Sequence, residues 1–232
     1  MSGTLGHPRL HLRSTDSTND RARALAIAGA PHGTLVTASA QTAGRGRQGR
    51  RWSAPPDSSL LASLVLRSPP PLLPLIAAVA VCDVAGEDAR VKWPNDIVFV
   101  RPSGLAKLAG ILAEGRPREG WAVLGIGLNV AVQLDELPAE LQASAATLGD
   151  APEAIEPTLA RLLTALERRL VEPAEELLST YRAHDALRGR EIEWSGGHGR
   201  ADGIDGEGRL MVTLPGGGHT ALDAGEVHLT GP

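Results

Sequence analysis

The spacing of apolar residues predicts a first helix close to the N-terminus of the chain. Apolar positions recur with helical spacing at Ala22 and Ala26, behind a polar segment that begins at Ser17. Ser17 is followed by Asp20 three residues later, which is typical of a capping box at a helix start. Gly29 then favours the end of this helix.

The rest of the first 187 residues predicts strands followed by helices. Alternating or continuous apolar runs predict strands at 34–38, 59–66, 90–93, 97–100, 105–113 and 121–130. The last four strands are separated by short turns and should form an antiparallel meander. Helices are predicted at 71–84, which is apolar enough to be buried, and at 156–170 and 173–186.

The remaining C-terminal residues have a different character from the preceding part. Short strand-like segments at 190–194, 199–204, 209–214 and 225–229 alternate with glycine-rich turns. The predicted fold class is therefore α+β, with a mixed or antiparallel sheet and helices, and with a small β-barrel appended. The predicted domains are 1–187 and 188–232.

Composition and charge limit the functions that this chain can have. A net charge of −4 argues against a general nucleic-acid binder, because affinity for the phosphate backbone requires an excess of cations. The single cysteine, Cys82, cannot form an internal disulfide and fits a reducing compartment. Because the sequence contains no apolar run long enough for a membrane span or a signal peptide, a soluble cytoplasmic protein is expected.

An arginine- and glycine-rich segment at 41–52 is the first candidate for a functional site. It contains Arg45, Arg47, Arg50 and Arg51, interleaved with Gly44, Gly46 and Gly49. Arginine forks match phosphate oxygens, and glycines let the backbone approach a ligand closely, so the segment predicts a loop that orders over a phosphorylated ligand. A solvated charge run or an RNA-binding tract is the alternative.

Only two of the 23 basic residues are lysines, Lys92 and Lys107. On a regular strand, Lys107 shares a face with Leu105, Ala109 and Ile111, and a buried ammonium there would need a partner. We therefore expect at least one functional lysine. An edge strand that leaves Lys107 in solvent is the alternative.

Three common catalytic motifs are missing from the sequence. It has no Gly-x-x-x-x-Gly-Lys-Ser/Thr segment, no Gly-x-Ser-x-Gly segment and no Cys/His cluster with zinc spacing. These absences exclude a P-loop cradle and disfavour hydrolase and zinc-site interpretations.

Five segments taken together resemble biotin protein ligases. They are Ser-Thr-Asn at 17–19, the 41–52 loop, Lys-Trp-Pro-Asn-Asp at 92–96, Lys-Leu-Ala-Gly-Ile-Leu at 107–112 and Gly-Ile-Gly-Leu-Asn-Val at 125–130. Segments 203–208 and 224–227 are similar to the SH3-like C-terminal domain of that family. The resemblance covers nearly the whole chain from about His11.

The resemblance implies a reaction in two steps. Biotin and ATP form biotinyl-5′-adenylate and pyrophosphate, with Mg²⁺ as the expected metal, although its ligands are unknown. The biotinyl group then passes to a lysine of a biotin carboxyl carrier domain, as in acetyl-CoA carboxylase. Because only about ten residues precede the matched region, we expect no winged helix and no DNA binding. A homodimer is possible.

The resemblance also assigns residues to the ligands. Those matched to biotin are Ser17, Thr18, Asn19, Gln41, Gly44, Arg45, Gly46, Arg47, Lys107 and Gly110. Those matched to ATP or the adenylate are Arg47, Arg50, Trp52, Asn95, Lys107 and Asn129. Ser17 read alone is equally well explained as a helix cap, and Gln41 as a loop amide.

Lys107, Arg47 and Asp96 are the predicted catalytic residues. Asp96 is expected to aid attack by the carrier lysine or to bind Mg²⁺, although Asn95 and Asp96 are also ordinary turn residues after Pro94. Some family members cover adenine with a tryptophan, but residues 131–150 contain no aromatic residue. The candidates for this cover are Leu134, Leu137 and Leu141.

Three other functions compete with this interpretation. A lipoate ligase shares the adenylate chemistry but should show an Arg-Arg-x-x-Gly-Gly-Gly type of loop, which this sequence lacks. A nucleic-acid-binding module would use the Arg-Gly segment and the β-rich tail, and its binding would depend strongly on salt. A biotin-binding homologue without catalysis is disfavoured by the intact lysine and arginines.

Overall fold

The computed structural model describes residues 5–223 and 225–230, and its larger part is built on a seven-stranded sheet. The strands are β1 (Arg9–Leu12), β2 (Leu35–Ala38), β3 (Ser59–Arg67), β4 (Ala89–Lys92), β5 (Asp96–Arg101), β6 (Gly104–Arg116) and β7 (Trp121–Asn129). Their order in the sheet is β1-β2-β3-β7-β6-β5-β4. The pair β1 and β2 is parallel and all other neighbours are antiparallel, so the sheet is mixed.

Helices cover the two faces of this sheet unequally. The helices are α1 (Thr18–Ile27), α2 (Leu73–Ala85), α3 (Ala139–Gln142), α4 (Ile155–Leu170) and α5 (Ala174–Ala183). Apolar residues of α2, α4 and α5 form the main core with one face of the sheet. Helix α1 packs on the opposite face in a smaller core with Val36, Val65 and Val123. Within the described ranges, no helix is long and apolar enough to cross a membrane.

The central strands are apolar on both faces, which agrees with their position. All residues of β3 except Arg67 are buried, and β7 is almost as completely enclosed. Every residue from Leu75 to Val81 in α2 is also buried, which confirms the buried helix predicted at 71–84. The predicted meander is confirmed by the antiparallel pairing of β4 with β5, β5 with β6 and β6 with β7.

The C-terminal part forms a second, five-stranded sheet. Its strands are β8 (Glu191–Trp194), β9 (Gly197–Ile204), β10 (Leu210–Thr213), β11 (His219–Leu222) and β12 (His228–Leu229), in the order β11-β10-β9-β8-β12. Among the described residues, the edge strands β11 and β12 do not pair with each other, so no closed barrel is formed. Ala224, part of the predicted C-terminal segment 224–227, lies outside the described residues.

A short segment after α5 connects the two sheets. The peptide groups of His184 and Ala186 hydrogen-bond to Val91 of β4, at 2.8 and 2.9 Å. The predicted helix at 173–186 therefore ends earlier, at Ala183, because the next residues pair with the sheet. The indole Nε1 of Trp93 donates to the carbonyl of Gly208 at 3.0 Å and adds a buried contact between the two sheets.

Asp185 is a buried carboxylate in this connecting segment. Its Oδ1 accepts a hydrogen bond from the backbone N–H of Leu187 at 2.8 Å. Its Oδ2 is buried without a partner among the described residues. Burial raises the pKa of Asp185, against the opposing effect of backbone hydrogen bonds and Arg188. The ionised carboxylate therefore opposes folding at neutral pH.

We predict that Asp185→Asn raises the melting temperature at pH 7 by a few degrees. A folded pKa above the unfolded value of 3.8 means that stability falls as pH rises through the folded pKa. The advantage of the amide should therefore disappear as the pH falls to about 4. Thermal unfolding followed by circular dichroism between pH 4 and 8 measures this, with the exposed Asp150→Asn as control. Equal melting temperatures at every pH would contradict the prediction.

Candidate functional site

A cavity opens on the α1 face of the seven-stranded sheet, where five parts of the chain meet. They are the start of α1, the 41–52 loop, the turn between β4 and β5, the cavity faces of β6 and β7, and residues 225–227. The predicted site residues that line it are Ser17, Thr18, Asn19, Gln41, Arg45, Gly46, Arg47, Arg50, Trp52, Asn95, Asp96, Lys107 and Gly110. The fold thus brings together most of the residues predicted from segments far apart in the sequence.

Glycines on β6 and β7 form the floor of the cavity. A Cβ atom on Gly127 would lie 2.6 Å from the Trp52 ring, and one on Gly110 would lie 3.0 Å from it. A Cβ atom on Gly125 would lie 2.0 Å from Asn19 Oδ1. The contacts at Gly125 and Gly127 are too close for a side chain, and the contact at Gly110 is tight, so the sheet is bare where Trp52 and Asn19 rest on it. Trp52 Nε1 is buried without a hydrogen-bond partner among the described residues.

The 41–52 loop folds back on itself over this floor. Gly46 N–H donates to the carbonyl of Arg50 at 2.7 Å, and Trp52 N–H donates to that of Gly44 at 2.9 Å. Gln48 at the tip has a φ of 53°, in the left-handed region. Gly44 does not line the cavity, and a Cβ atom at this position would lie 2.5 Å from the Trp52 carbonyl oxygen. Its glycine is therefore needed for loop closure.

The start of α1 differs from the predicted capping box. Ser17 occupies the cap position with an extended backbone, but its side chain makes no capping hydrogen bond. The carboxylate of Asp20 instead pairs with Arg45 of the loop at 2.7 Å. The capping-box prediction is therefore wrong, since the acidic residue pairs with a cation from another segment.

Polar residues behind the cavity form a continuous hydrogen-bond network. Gln41 Oε1 accepts from the N–H of Thr18 at 2.7 Å and from its hydroxyl at 3.1 Å. The hydroxyl of Ser63, on β3, is 2.8 Å from Thr18 Oγ1 and 2.6 Å from Asn19 Oδ1. The amide Nδ2 of Asn19 donates to Glu114 Oε2 at 3.0 Å. The segment 17–19 is thus held in a fixed orientation.

A β-bulge places Lys107 on the cavity face of β6. The register with β5 shifts so that Ile97 faces Ala109 while Val98 faces Lys107. Ala109 and Ile111 belong to the main core, whereas Lys107 lies beside Gly110, where Cε would be 3.3 Å from an added Cβ. The predicted shared face of Lys107 with Ala109 and Ile111 is therefore wrong, because the extra residue reverses the alternation.

Lys107 has the partner that a half-buried ammonium requires. Its Nζ lies 2.8 Å from Asp96 Oδ1, and 39% of its side chain is exposed. The same ammonium lies 5.7 Å from the centre of the Trp52 ring. Arg47 completes this corner, since its Nη1 donates to Asn95 Oδ1 at 3.2 Å. Burial lowers the pKa of Arg47, against the opposing charge of Asp96.

The cavity has a strong excess of positive charge. Among the described residues, six cations and two carboxylates, those of Asp96 and Glu226, line it. The cations are Arg45, Arg47, Arg50, Arg51, Lys92 and Lys107. Because the protein as a whole carries a net charge of −4, this concentration is local and favours an anionic ligand.

The C-terminal part contributes to this cavity. Arg50 forms an ion pair with Glu226, which lines the cavity together with Gly225 and Val227. The loop is therefore tied to the second sheet as well as to α1.

Asn129 lies outside the cavity. It is buried, its Oδ1 accepts from Ser59 at 3.2 Å and its Nδ2 donates to the carbonyl of Ala146 at 2.8 Å. Its role toward a nucleotide therefore stays a prediction, and the structure shows it holding the segment that follows β7.

The three candidates for covering adenine do not line the cavity either. Leu134 and Leu137 pack with Val132 in a small separate cluster, and Leu141 is exposed at 36%. Their predicted role remains untested.

Several residues of the site were missing from the sequence-based assignment. Gly125 and Gly127 belong to a quoted segment, yet their purpose depends on where Trp52 and Asn19 pack. In the sequence, Glu114 begins a charged stretch that was interpreted as a turn. Its neighbours in the sequence did not indicate its hydrogen bonds with Asn19, Arg23 and Arg45. Glu226 lies just before β12 of the C-terminal part, so only the docking of that part reveals it.

The fold therefore presents a cationic cavity under an arginine loop, which favours a phosphorylated or otherwise anionic ligand. A family model for the biotin/lipoate A/B protein ligases matches residues 11–130. The chain belongs to this family.

Individual relatives support this membership. The bifunctional ligase/repressor BirA of Bacillus spizizenii is 35% identical over 231 residues, which cover 90% of this chain and 70% of that protein. The biotin–[acetyl-CoA-carboxylase] ligase of Mycobacterium tuberculosis is 35% identical over 235 residues, covering 92% and 85% respectively. The structure of biotin protein ligase from Aquifex aeolicus in complex with biotin and ATP matches with a TM-score of 0.80 at 25% identity. That match covers 97% of this chain and 99% of the other. The resemblance inferred from the sequence is thus confirmed.

Lys92 is a partly buried cation of the cavity with no ion pair or hydrogen bond to its side chain within the described part of the chain. Burial lowers its pKa, and so do Lys107 and Arg50, against the opposing charge of Asp96. An ammonium in such a position costs stability until an anion arrives.

We predict that Lys92→Met stabilises the ligand-free protein at pH 7 and weakens pyrophosphate binding about tenfold, since a charge-assisted hydrogen bond is lost. With a folded pKa below the unfolded 10.5, the stability gain should vanish as pH rises toward that value. Thermal unfolding and calorimetric titration measure the two effects, with the exposed Arg118→Gln as a control for net charge. A destabilised variant with unchanged pyrophosphate affinity would contradict the prediction.

Proposed function

We propose that this chain is an ATP-dependent biotin protein ligase, which forms biotinyl-5′-adenylate and transfers the biotinyl group to a lysine of a carrier domain. The observation that carries the proposal is the glycine-floored cavity in which Lys107 and Arg47 meet Asp96 under the 41–52 loop. Relatives named as biotin ligases, which match over most of both chains, favour biotin over lipoate as the substrate.

Adenylation joins two anions, so the residues of the cavity must neutralise and align them. A carboxylate oxygen of biotin attacks the α-phosphorus of ATP, the bond to the bridging oxygen of the β-phosphate breaks, and pyrophosphate leaves. Lys107 is held by Asp96 at 2.8 Å and is proposed to contact both the carboxylate and the α-phosphate. Arg47, half-buried beside Asn95, is proposed to stabilise the charge that builds up on the phosphate oxygens.

Recognition of the biotin rings is assigned to the polar residues that line one wall of the cavity and belong to segment 17–19 and its hydrogen-bond partners. Ser17, Thr18 and Gln41 line the cavity, and the position of Thr18 is fixed by hydrogen bonds to Gln41 and Ser63. A fixed set of donors and acceptors suits a small polar ring system, because little conformational freedom is lost on binding. Trp52 is proposed to pack against the adenylate and to donate its unpaired Nε1 to the ligand.

Transfer requires a neutral amine of the carrier lysine to attack the acyl carbon of the adenylate. The bond from that carbon to the phosphate oxygen breaks, AMP leaves and the amine loses a proton. Asp96 is the carboxylate beside Lys107 and is proposed to take this proton or to orient the amine. Its ion pair with Lys107 keeps the carboxylate in position for that role.

Mg²⁺ is proposed to enter together with ATP. No cluster of three His, Cys, Asp or Glu side chains that could hold a metal by itself occurs in the described residues. Mg²⁺ commonly binds through one or two carboxylates plus substrate phosphates. Asp96 fits this requirement, since it lines the cavity among the cations. The ion would neutralise phosphate charge.

The remaining assignments are also proposals. The partner is a biotin carboxyl carrier domain of a carboxylase, and the protein is assigned to the cytoplasm without binding DNA. The residues 188–232 are assigned to a separate SH3-like domain, with 1–187 as the catalytic domain. A homodimer is left open as an alternative to a monomer.

The test of the function is biotin-dependent exchange of labelled pyrophosphate into ATP. We expect exchange that requires biotin and does not respond to lipoate. Lys107→Ala should reduce it by at least about a hundredfold, as expected for a group that stabilises transition-state charge, whereas the exposed Arg118→Gln should not. Exchange with lipoate alone would favour a lipoate ligase. No exchange from the folded protein would refute adenylation, and near-normal exchange by Lys107→Ala would remove this lysine from the mechanism.

We further predict that Arg47→Ala releases biotinyl-adenylate into solution. The guanidinium lies between the loop and the β4–β5 turn, so its loss should loosen the cover over a reactive mixed anhydride. Chromatography of the reaction mixture without a carrier measures the released intermediate. Retention equal to that of the unchanged protein would argue against loop closure through Arg47.

A further inference from the structure

Glu114 lies on β6 outside the cavity and makes four polar contacts with two other segments. Its Oε2 accepts from Asn19 Nδ2 at 3.0 Å, and its Oε1 accepts from Arg23 Nη2 at 2.7 Å. Arg45 of the loop donates to both oxygens, at 3.2 and 2.9 Å. The carboxylate thus contacts α1 and the 41–52 loop at once.

On the α1 side, Glu114 is one of three partners that orient the Asn19 side chain. The Asn19 amide also donates to the Leu112 carbonyl at 3.3 Å, and its Oδ1 accepts from the hydroxyl of Ser63 at 2.6 Å. All polar atoms of Asn19 are therefore occupied by the protein, with Gly125 leaving the space for them. Asn19 lines the cavity wall, and its position depends on the carboxylate behind it.

On the loop side, Glu114 and Asp20 both form ion pairs with the guanidinium of Arg45. Asp20 accepts from Nη1 at 2.7 Å. Although burial acts to lower it, the two carboxylates raise the pKa of Arg45. Against its own desolvation, the hydrogen bond from Asn19 and the charges of Arg23 and Arg45 lower the pKa of Glu114. Arg45 therefore ties the first part of the loop to α1 and β6.

We propose that Glu114 is a positioning residue that links biotin binding to closure of the 41–52 loop. This inference rests on the proposed function. It goes further, because a single carboxylate holds both the residue beside the proposed ring site and the arginine that anchors the loop. When biotin packs against the segment 17–19, Asn19 and Glu114 are held in place for Arg45, and the loop is stabilised. By reciprocity, a closed loop strengthens biotin binding.

A purely structural role would have a different consequence. If Glu114 only neutralised two arginines, its loss would lower stability and leave the response of the loop to biotin intact. The chain offers a matched control, because Asp20 also pairs with Arg45 but is not hydrogen-bonded to Asn19. Asp20→Asn removes one ion pair from the loop and leaves the contact to Asn19.

The experiment measures biotin affinity by calorimetry without ATP, and the rate of tryptic cleavage in the loop with and without saturating biotin. We expect biotin to slow cleavage of the wild-type protein at least about fivefold, which is the lower end of common coupling strengths between two sites. Glu114→Gln should still bind biotin, about tenfold more weakly, and lose this protection. Asp20→Asn should be cleaved faster than the wild-type protein. The factor by which biotin slows its cleavage should be unchanged.

Each result has a defined meaning. Full protection of Glu114→Gln, or equal loss of protection in Asp20→Asn, would overturn the linkage while leaving the ligase assignment intact. An unchanged protein that binds biotin without protection would also overturn it. An unchanged protein that binds no biotin would refute the proposed function and the inference together. If Glu114→Gln does not fold, Arg45→Gln tests the link from the loop side, with the same loss of protection expected and retained protection overturning it.

Discussion

The absence of side chains on the cavity face of β6 and β7 is the constraint on which the rest of the site depends. At Gly110 and Gly127 the Trp52 ring lies directly on the backbone, and at Gly125 the Asn19 amide does so. A methyl group at any of these positions would push away either the end of the arginine loop or the start of α1. Because both segments settle onto the same two strands, their positions relative to Lys107 are determined by the sheet. The loop can therefore consist largely of glycine and arginine without leaving the site undefined.

The charges around the cavity explain why it favours an anionic ligand. The cavity places six cations around two carboxylates, although the chain is acidic overall. Lys92 and Arg47 have lowered pKa values, mainly because they are withdrawn from water. The cost of this withdrawal is present before any ligand binds and is offset when phosphate groups enter. A polyanionic substrate thus gains from a preformed field, while the folded protein alone keeps a modest stability deficit at this place.

The sequence was sufficient to predict most helices and strands and most of the residues that meet in the cavity. The predictions that failed did so for identifiable physical reasons. Strong apolar patterns predicted the meander, the buried helix α2 and most of the C-terminal strands. Strand β1 was missed because four partly exposed residues carry little pattern, and β11 because it follows three glycines with few apolar residues. Glu114 and Asn129 owe their contacts to segments distant in the chain, which local spacing does not encode. The capping box failed because Asp20 found a cation in the loop.

The bulge in β6 is the local feature that makes one strand serve both halves of the site. Gly110, Leu112 and Glu114 alternate regularly on the α1 face, while Lys107 has the opposite parity in the sequence. On a regular strand Lys107 would point toward the main core, where Ala109 and Ile111 lie, and its charge would be desolvated without Asp96. The extra residue turns Lys107 to the face that carries Gly110 and Glu114. Lys107 is in register with Val98 of β5 and also contacts the segment after α3, since its N–H donates to the Ser144 carbonyl and its carbonyl accepts from the Ala146 N–H, at 2.6 and 2.7 Å. One irregular residue therefore aligns an ammonium, a flat floor and an anchoring carboxylate along one strand.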